Sequence, residues 1–132
     1  MLGLMASVIN IATSGLQAAS QRLAVSANNV ANASTSRPTR AGEPTPNGVF
    51  APQRTVQTSI PGGGVRAEAR PIEPATITGP DISSPTGLSS FPNVNLLEEY
   101  LEQKLASISY TANASVIRTQ QELDQVLLDI ET

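Results

Sequence analysis

Leu2, Ile9, Leu16, Leu23 and Val30 recur at strict seven-residue intervals, and Met5, Ala12, Ala19 and Ser26 stand three positions further on. A repeat of this period is the seam of a helix that packs along another helix. Residues 1–35 are therefore predicted to form one long core helix, spanning roughly 40 to 45 Å from Leu4 to near Ala33 at about 1.5 Å per residue. After Met5 the second set is small, which lets a partner helix come close. The other faces carry Ser, Thr, Gln, Asn and Ala, with Arg22 as the one charge, so both sides are open to packing. Asn28, Asn29 and Asn32 enter near the end, Asn28 and Asn32 one turn apart. Ser34, Thr35, Ser36 and Pro38 then stop the helix. Two readings of the amides stand side by side. They are frayed-end and C-cap residues, or they fix register between neighbouring chains, as a buried polar residue can in coiled coils.

All ten prolines lie between Pro38 and Pro92, with seven of the nine glycines, so residues 36–92 form a Pro/Gly-rich connector without a helix of useful length. Two β-favouring pieces, Gly48 to Ile60 and Val65 to Ile77, flank the turn sequence Pro61-Gly62-Gly63-Gly64, which reads as a hairpin. Gly79 to Pro92 reads as extended linker. The five arginines of this segment, Arg37, Arg40, Arg54, Arg66 and Arg70, fit a solvated loop surface, with a polyanion-binding patch as the lesser reading.

Residues 93–132 read as a second core helix. Asn95 followed by Glu98 resembles a capping box, and Glu98 and Glu99 occupy the first turn, where the helix dipole favours acids. Leu97, Leu101, Leu105, Ile108, Ala112, Val116, Thr119, Leu123, Leu127 and Ile130 form an apolar stripe whose steps of four, four and three repeat every eleven residues. An eleven-residue helix and a heptad helix drift apart along their length, which favours short contacts with several neighbours over one long zipper. Tyr110 and Asn113 lie one turn apart off the stripe, as a simple exposed pair or a second intersubunit face. The fold expected is mainly α: long N- and C-terminal helices packing as a coiled-coil-like core, joined by an extended segment carrying one hairpin.

Function classes fall away by composition. Without cysteine or histidine the chain has no thiolate or imidazole chemistry, and a metal site would need carboxylates alone. No catalytic, cofactor-binding or metal-ligating residue is assigned, and no enzyme activity is expected. Pro61 to Gly64 is not a phosphate loop, since no Gly-Lys-Ser/Thr follows and no helix starts there. From Asn93 onward seven acids face only Lys104 and Arg118, which argues against a nucleic-acid grip at that end. The opening MLGLMASVINIAT is too short to span a bilayer. It lacks the charged start of a secretory signal and continues in heptad phase, so it reads as part of the helix.

The stretch SGLQAASQRLAVSANNVANAST resembles the N-terminal signature of bacterial flagellar rod and hook proteins, and FPNVNLLEEY with ASISYTANASVIRT resembles their C-terminal signature. The likeness covers some 60 to 70 residues in two blocks. Asn28, Asn29, Asn32, Asn93, Asn95, Glu98, Glu99, Tyr110 and Asn113 fall inside these motifs. Within the flagellar basal-body rod family, the short length, GGVRAEARPIEP and PNVN are most similar to the small proximal members. The tail QELDQVLLDIET is closer to longer rod and hook members, and Ser36, Arg37 and Pro38 stand where the family usually has a glycine.

The resemblance implies a structural subunit whose terminal helices polymerise into the axial drive shaft around the export channel. Ile9, Leu16, Leu23, Val30, Leu101, Leu105, Ile108, Val116 and Leu123 would form the assembly seam. Its partners would be copies of itself, other rod proteins in a helical tube, and the basal-body ring or adaptor at the rod's base, with no nucleic acid and no transmembrane segment. Its place would be the rod crossing the periplasm, reached by type III export without a cleaved signal peptide. The competing reading from the residues alone is a non-flagellar secreted helical module that folds on binding.

Overall fold

The computed structural model describes residues 2–131, and the side chains of Leu2 and Met5, which open the heptad, lie outside the described residues. Two long helices enclose a β-rich middle: α1 (Leu2–Asn32), β1 (Arg37–Pro38), β2 (Gln53–Ser59), β3 (Val65–Pro71), β4 (Thr76–Pro80), β5 (Leu88–Pro92) and α2 (Leu96–Glu131). Asn95 caps α2, its Oδ1 accepting from the N–H groups of Leu97 (3.1 Å) and Glu98 (3.4 Å).

The helices run antiparallel, because Asn29 meets Glu99, Arg22 meets Glu102 and Gly15 lies against Asn113. Small residues make this contact. Ala12, Ala19, Ser26 and Ala106 are each at most 2% exposed, so the close partner that the small heptad positions allow is the chain's own α2. On α1 the contact continues through Gly15, Arg22 and Asn29, in steps of three and four. On α2 it follows Glu99, Glu102, Ala106, Ser109 and Asn113 with the same spacing. A Cβ added at Gly15 would collide with the Asn113 amide. Gly15→Ala is therefore expected to destabilise the helix pair by about 1 to 3 kcal/mol, as overpacking does. Urea unfolding of the two proteins side by side measures it.

The hairpin expected around the PGGG turn is present, with β2 and β3 antiparallel from Gln53↔Pro71 to Ser59↔Val65. It lies along α1. Ser14 Oγ donates to Ile11 C=O (2.6 Å) and accepts from Val65 N–H (3.0 Å). Gly63 and Gly64 adopt φ of 112° and 93°, and a Cβ on either would run into Ile11 or Ser14, so the turn needs glycine for conformation and for clearance.

Gly79 to Pro92 differs from the extended linker expected. It holds the end of β4, a turn and β5, and β5 is the central strand of a sheet ordered β1-β5-β4. The reason is side-chain capping of the turn, a signal weaker than apolar alternation. Asp81 accepts from the Ser83 hydroxyl and N–H and from the Ser89 hydroxyl, and Ser84 and Thr86 hydroxyls bond the Leu88 and Thr39 carbonyls. The Ser83 hydroxyl, then that of Ser89 and the Ser83 N–H, hold the Asp81 carboxyl below its usual 3.8, against a smaller opposing effect of burial. A carboxyl more acidic in the fold than in the unfolded chain supports the loop above about pH 3.8 and loses that support as pH falls through the lowered value. An NMR titration is expected to place the Asp81 midpoint below 3.8. Asp81→Asn is expected to remove the acid sensitivity of this loop.

Candidate functional site

Asn29 is 1% exposed where the end of α1, the start of α2 and β2 converge. Its Oδ1 accepts from Gln53 N–H (3.1 Å), and its Nδ2 donates to Gln53 C=O (2.6 Å) and to Glu99 Oε1 (2.7 Å). The amide thus pairs with one backbone residue as a neighbouring strand would, and orients a carboxylate besides. Ser26 Oγ donates to the Glu99 carbonyl (3.0 Å) and accepts from Gln103 Nε2 (3.2 Å). One turn back, Arg22 Nε and Nη2 both donate to Glu102 Oε2 (3.0 and 2.8 Å). This row fixes how the two helices and the connector meet.

The other motif residues have other roles. Asn28 and Asn32 bond within the helix, Asn32 Nδ2 donating to Asn28 C=O (2.9 Å) and Oδ1 (3.1 Å). Asn113 Nδ2 donates to Ser109 C=O (2.8 Å) on its own helix and faces Gly15. Asn93 ties the start of α2 to β4, its N–H donating to Ala75 C=O and its Nδ2 to Pro74 C=O, both at 2.9 Å. Glu98 is exposed in the first turn of α2, and Glu99 is buried. Tyr110 is half exposed beside Leu16, Gln17 and Ser20.

The large apolar residues of the expected seam face outward in the single chain. Ile9 and Leu16 are half-buried. Leu23, Val30, Leu101, Leu105, Ile108, Val116 and Leu123 range from 40% exposed at Val30 to 65% at Ile108. The eleven-residue stripe of α2 lies beside the face that meets α1, and its leucines have little cover from the chain itself. Between this stripe and the hairpin runs a groove of about 500 Å³, lined by Val25 of α1, Arg54, Thr55 and Ile72 of the connector, and Leu101 and Leu105 of α2. Sequence reasoning missed this groove, Ser14 as the hairpin's anchor, and Gly15. An isolated glycine inside a helical repeat was the available signal for the last.

No helix among the described residues is long and apolar enough to cross a membrane. No group of three His, Cys, Asp or Glu residues able to hold a metal ion occurs among them.

The pattern of the family described as flagella basal body rod protein matches residues 9–39, which carry Ser14, Gly15, Arg22, Ser26 and Asn29. The flagellar basal-body rod protein FlgC of Borreliella burgdorferi is 32% identical over 155 aligned positions, covering 98% of this chain and 98% of that protein. FlgC of Yersinia enterocolitica is 35% identical over 127 positions, covering 89% of this chain and 90% of its own length. Agreement over nearly the whole of both lengths takes in the two helices and the connector alike, and the chain belongs to the flagellar basal-body rod protein family.

Proposed function

We propose that this chain is a structural subunit of the flagellar basal-body rod, of the proximal kind, polymerising through its terminal helices into the shaft that transmits torque and surrounds the export channel. The family is structural, not enzymatic. One observation carries the reading. The helices meet each other through alanine, glycine and serine, while the large apolar side chains of both remain half exposed. Covering an exposed leucine contributes about 1.5 to 3 kcal/mol relative to leaving it in water, and a chain that withholds so many from its own core has its burial completed by neighbours. Those neighbours are copies of itself and other rod proteins, packed in a coiled-coil-like helical tube, with the basal-body ring or adaptor at the base. The exposed Asn28–Asn32 pair keeps hydrogen-bonding capacity for a neighbour and would penalise wrong registers more than it strengthens the right one. Export without a cleaved signal peptide and a position across the periplasm complete the reading.

A density map of the intact basal body tests it. The expected result is this helix pair in the rod wall with the α2 stripe covered by adjacent subunits. Absence of the chain from the rod, or an α2 stripe left facing water, would overturn the proposal.

A further inference from the structure

We infer that Asn47 is a site of spontaneous deamidation, at which the backbone nitrogen of Gly48 displaces the side-chain amide and Arg37 promotes the attack. Among the asparagines of the chain, Asn47 alone is followed by glycine. The loop from β1 to β2 holds the pair in an exposed turn, with Gly48 at φ 86°. Glycine has no Cβ to shield its nitrogen from the preceding side chain. Neither Asn47 nor Gly48 forms a hydrogen bond among the described residues, so the rotation that brings Asn47 Cγ to the Gly48 nitrogen breaks none. The other asparagines are held. Asn28, Asn32 and Asn113 bond within their helices, Asn29 bridges Gln53 and Glu99, and Asn93 and Asn95 fasten the start of α2. Asn10 lies inside α1, where the backbone N–H that follows it is committed to the helix.

A guanidinium faces this turn. A Cβ placed on Gly48 would lie 3.5 Å from both Nε and Nη2 of Arg37. Arg37 has no ion pair among the described residues, whereas Arg40 nearby is engaged with Glu43 at 3.6 Å. The Gly48 amide acts as a nucleophile once it loses its proton, and a positive charge so close favours the anionic nitrogen and the oxyanion that follows. As the proton passes to water, the nitrogen attacks Asn47 Cγ. The new N–Cγ bond closes a succinimide ring, the Cγ–Nδ2 bond breaks, and Nδ2 takes a proton from water and leaves as ammonia. Water then opens the ring at either carbonyl. Opening at one gives aspartate at position 47, which sets a carboxylate beside the unpaired Arg37. Opening at the other gives isoaspartate, which routes the chain through Cγ and lengthens the backbone between β1 and β2 by one carbon.

Trypsin separates this asparagine from the rest, since cleavage after Arg40 and Arg54 releases a fragment in which Asn47 is the one asparagine. The full-length chain is held in neutral buffer, sampled over weeks, and mapped by mass spectrometry with isoaspartate scored by enzymatic methylation. The expected result is conversion of the Asn47 fragment to a mixture of aspartate and isoaspartate while the fragments carrying the other asparagines keep their amides. Arg37→Gln is expected to slow the conversion severalfold. Arg37→Lys, which keeps the charge, is expected to restore most of the rate, and Arg40→Gln to leave it unchanged. An Asn47 fragment that keeps its amide throughout, or equal rates in the unaltered chain and in Arg37→Gln, would overturn the inference. Neither outcome bears on the rod assignment, which rests on the helices.

Discussion

Asn29→Ala is expected to free the β2–β3 hairpin from the helices and expose the Arg54–Thr55 and Arg66–Ala67 bonds to trypsin. The substitution deletes three hydrogen bonds at once, to Gln53 N–H, Gln53 C=O and Glu99 Oε1. Leaving a buried partner unsatisfied costs about 1 to 3 kcal/mol, so holding the connector in place against three such partners costs roughly 3 kcal/mol or more. The connector escapes this by detaching, which lets Gln53 and Glu99 reach water. Because 1.4 kcal/mol is about a factor of ten in an equilibrium constant, the open population rises on the order of a hundredfold or more, and cleavage after Arg54 and Arg66 rises with it when reclosing is fast. Asn29→Asp is expected to be at least as damaging, since it keeps the acceptor for Gln53 N–H but loses both donors and sets a second carboxylate against Glu99. Unchanged trypsin cleavage in both variants would show that the Ser14 anchor at the other end of the hairpin suffices.

Much of this architecture was legible in the chain, for reasons that differ by segment. Both helices follow from apolar period, and the Asn95 cap from its spacing to Glu98, since these are local rules. The β2–β3 hairpin followed from three glycines at the turn. The β1-β5-β4 sheet was not legible, because Arg37–Pro38 pairs with Ser90 and Ser89 more than fifty residues away and β5 has little apolar alternation. The division of labour between helix faces was only half legible. Heptad phase marks Ala12, Ala19 and Ser26 as a close-approach row but does not say whether the approaching helix belongs to the same chain. Asn29 could have been ranked above Asn28 and Asn32 on the same grounds, since it continues the row Ala12, Gly15, Ala19, Arg22, Ser26 in steps of three and four. Periodicity names faces, and which partner fills each depends on contacts that only the folded chain displays.

Two adjacent residues of α2 separate those faces experimentally. Ala106 is 1% exposed against α1, and Leu105 beside it is 49% exposed on the apolar stripe. Leu105→Asp is expected to leave the helix pair intact, because in the single chain this side chain already reaches water and a carboxylate there is solvated. In the rod packing proposed above the same position would be covered by a neighbour, so the change would forfeit burial worth about 1.5 to 3 kcal/mol and place an unpaired charge in an apolar contact. The penalty recurs in every copy, and assembly is expected to fail. Ala106→Asp forces a charge between α1 and α2 and is expected to unfold the pair before assembly begins. Circular dichroism of the two purified variants, read beside rod incorporation and swimming of cells carrying them, gives opposite patterns: Leu105→Asp helical and non-motile, Ala106→Asp non-helical and non-motile. Motile cells carrying Leu105→Asp would show that the stripe is not an assembly surface, and the rod contacts would then have to come from the α1 face bearing Leu16 and Leu23.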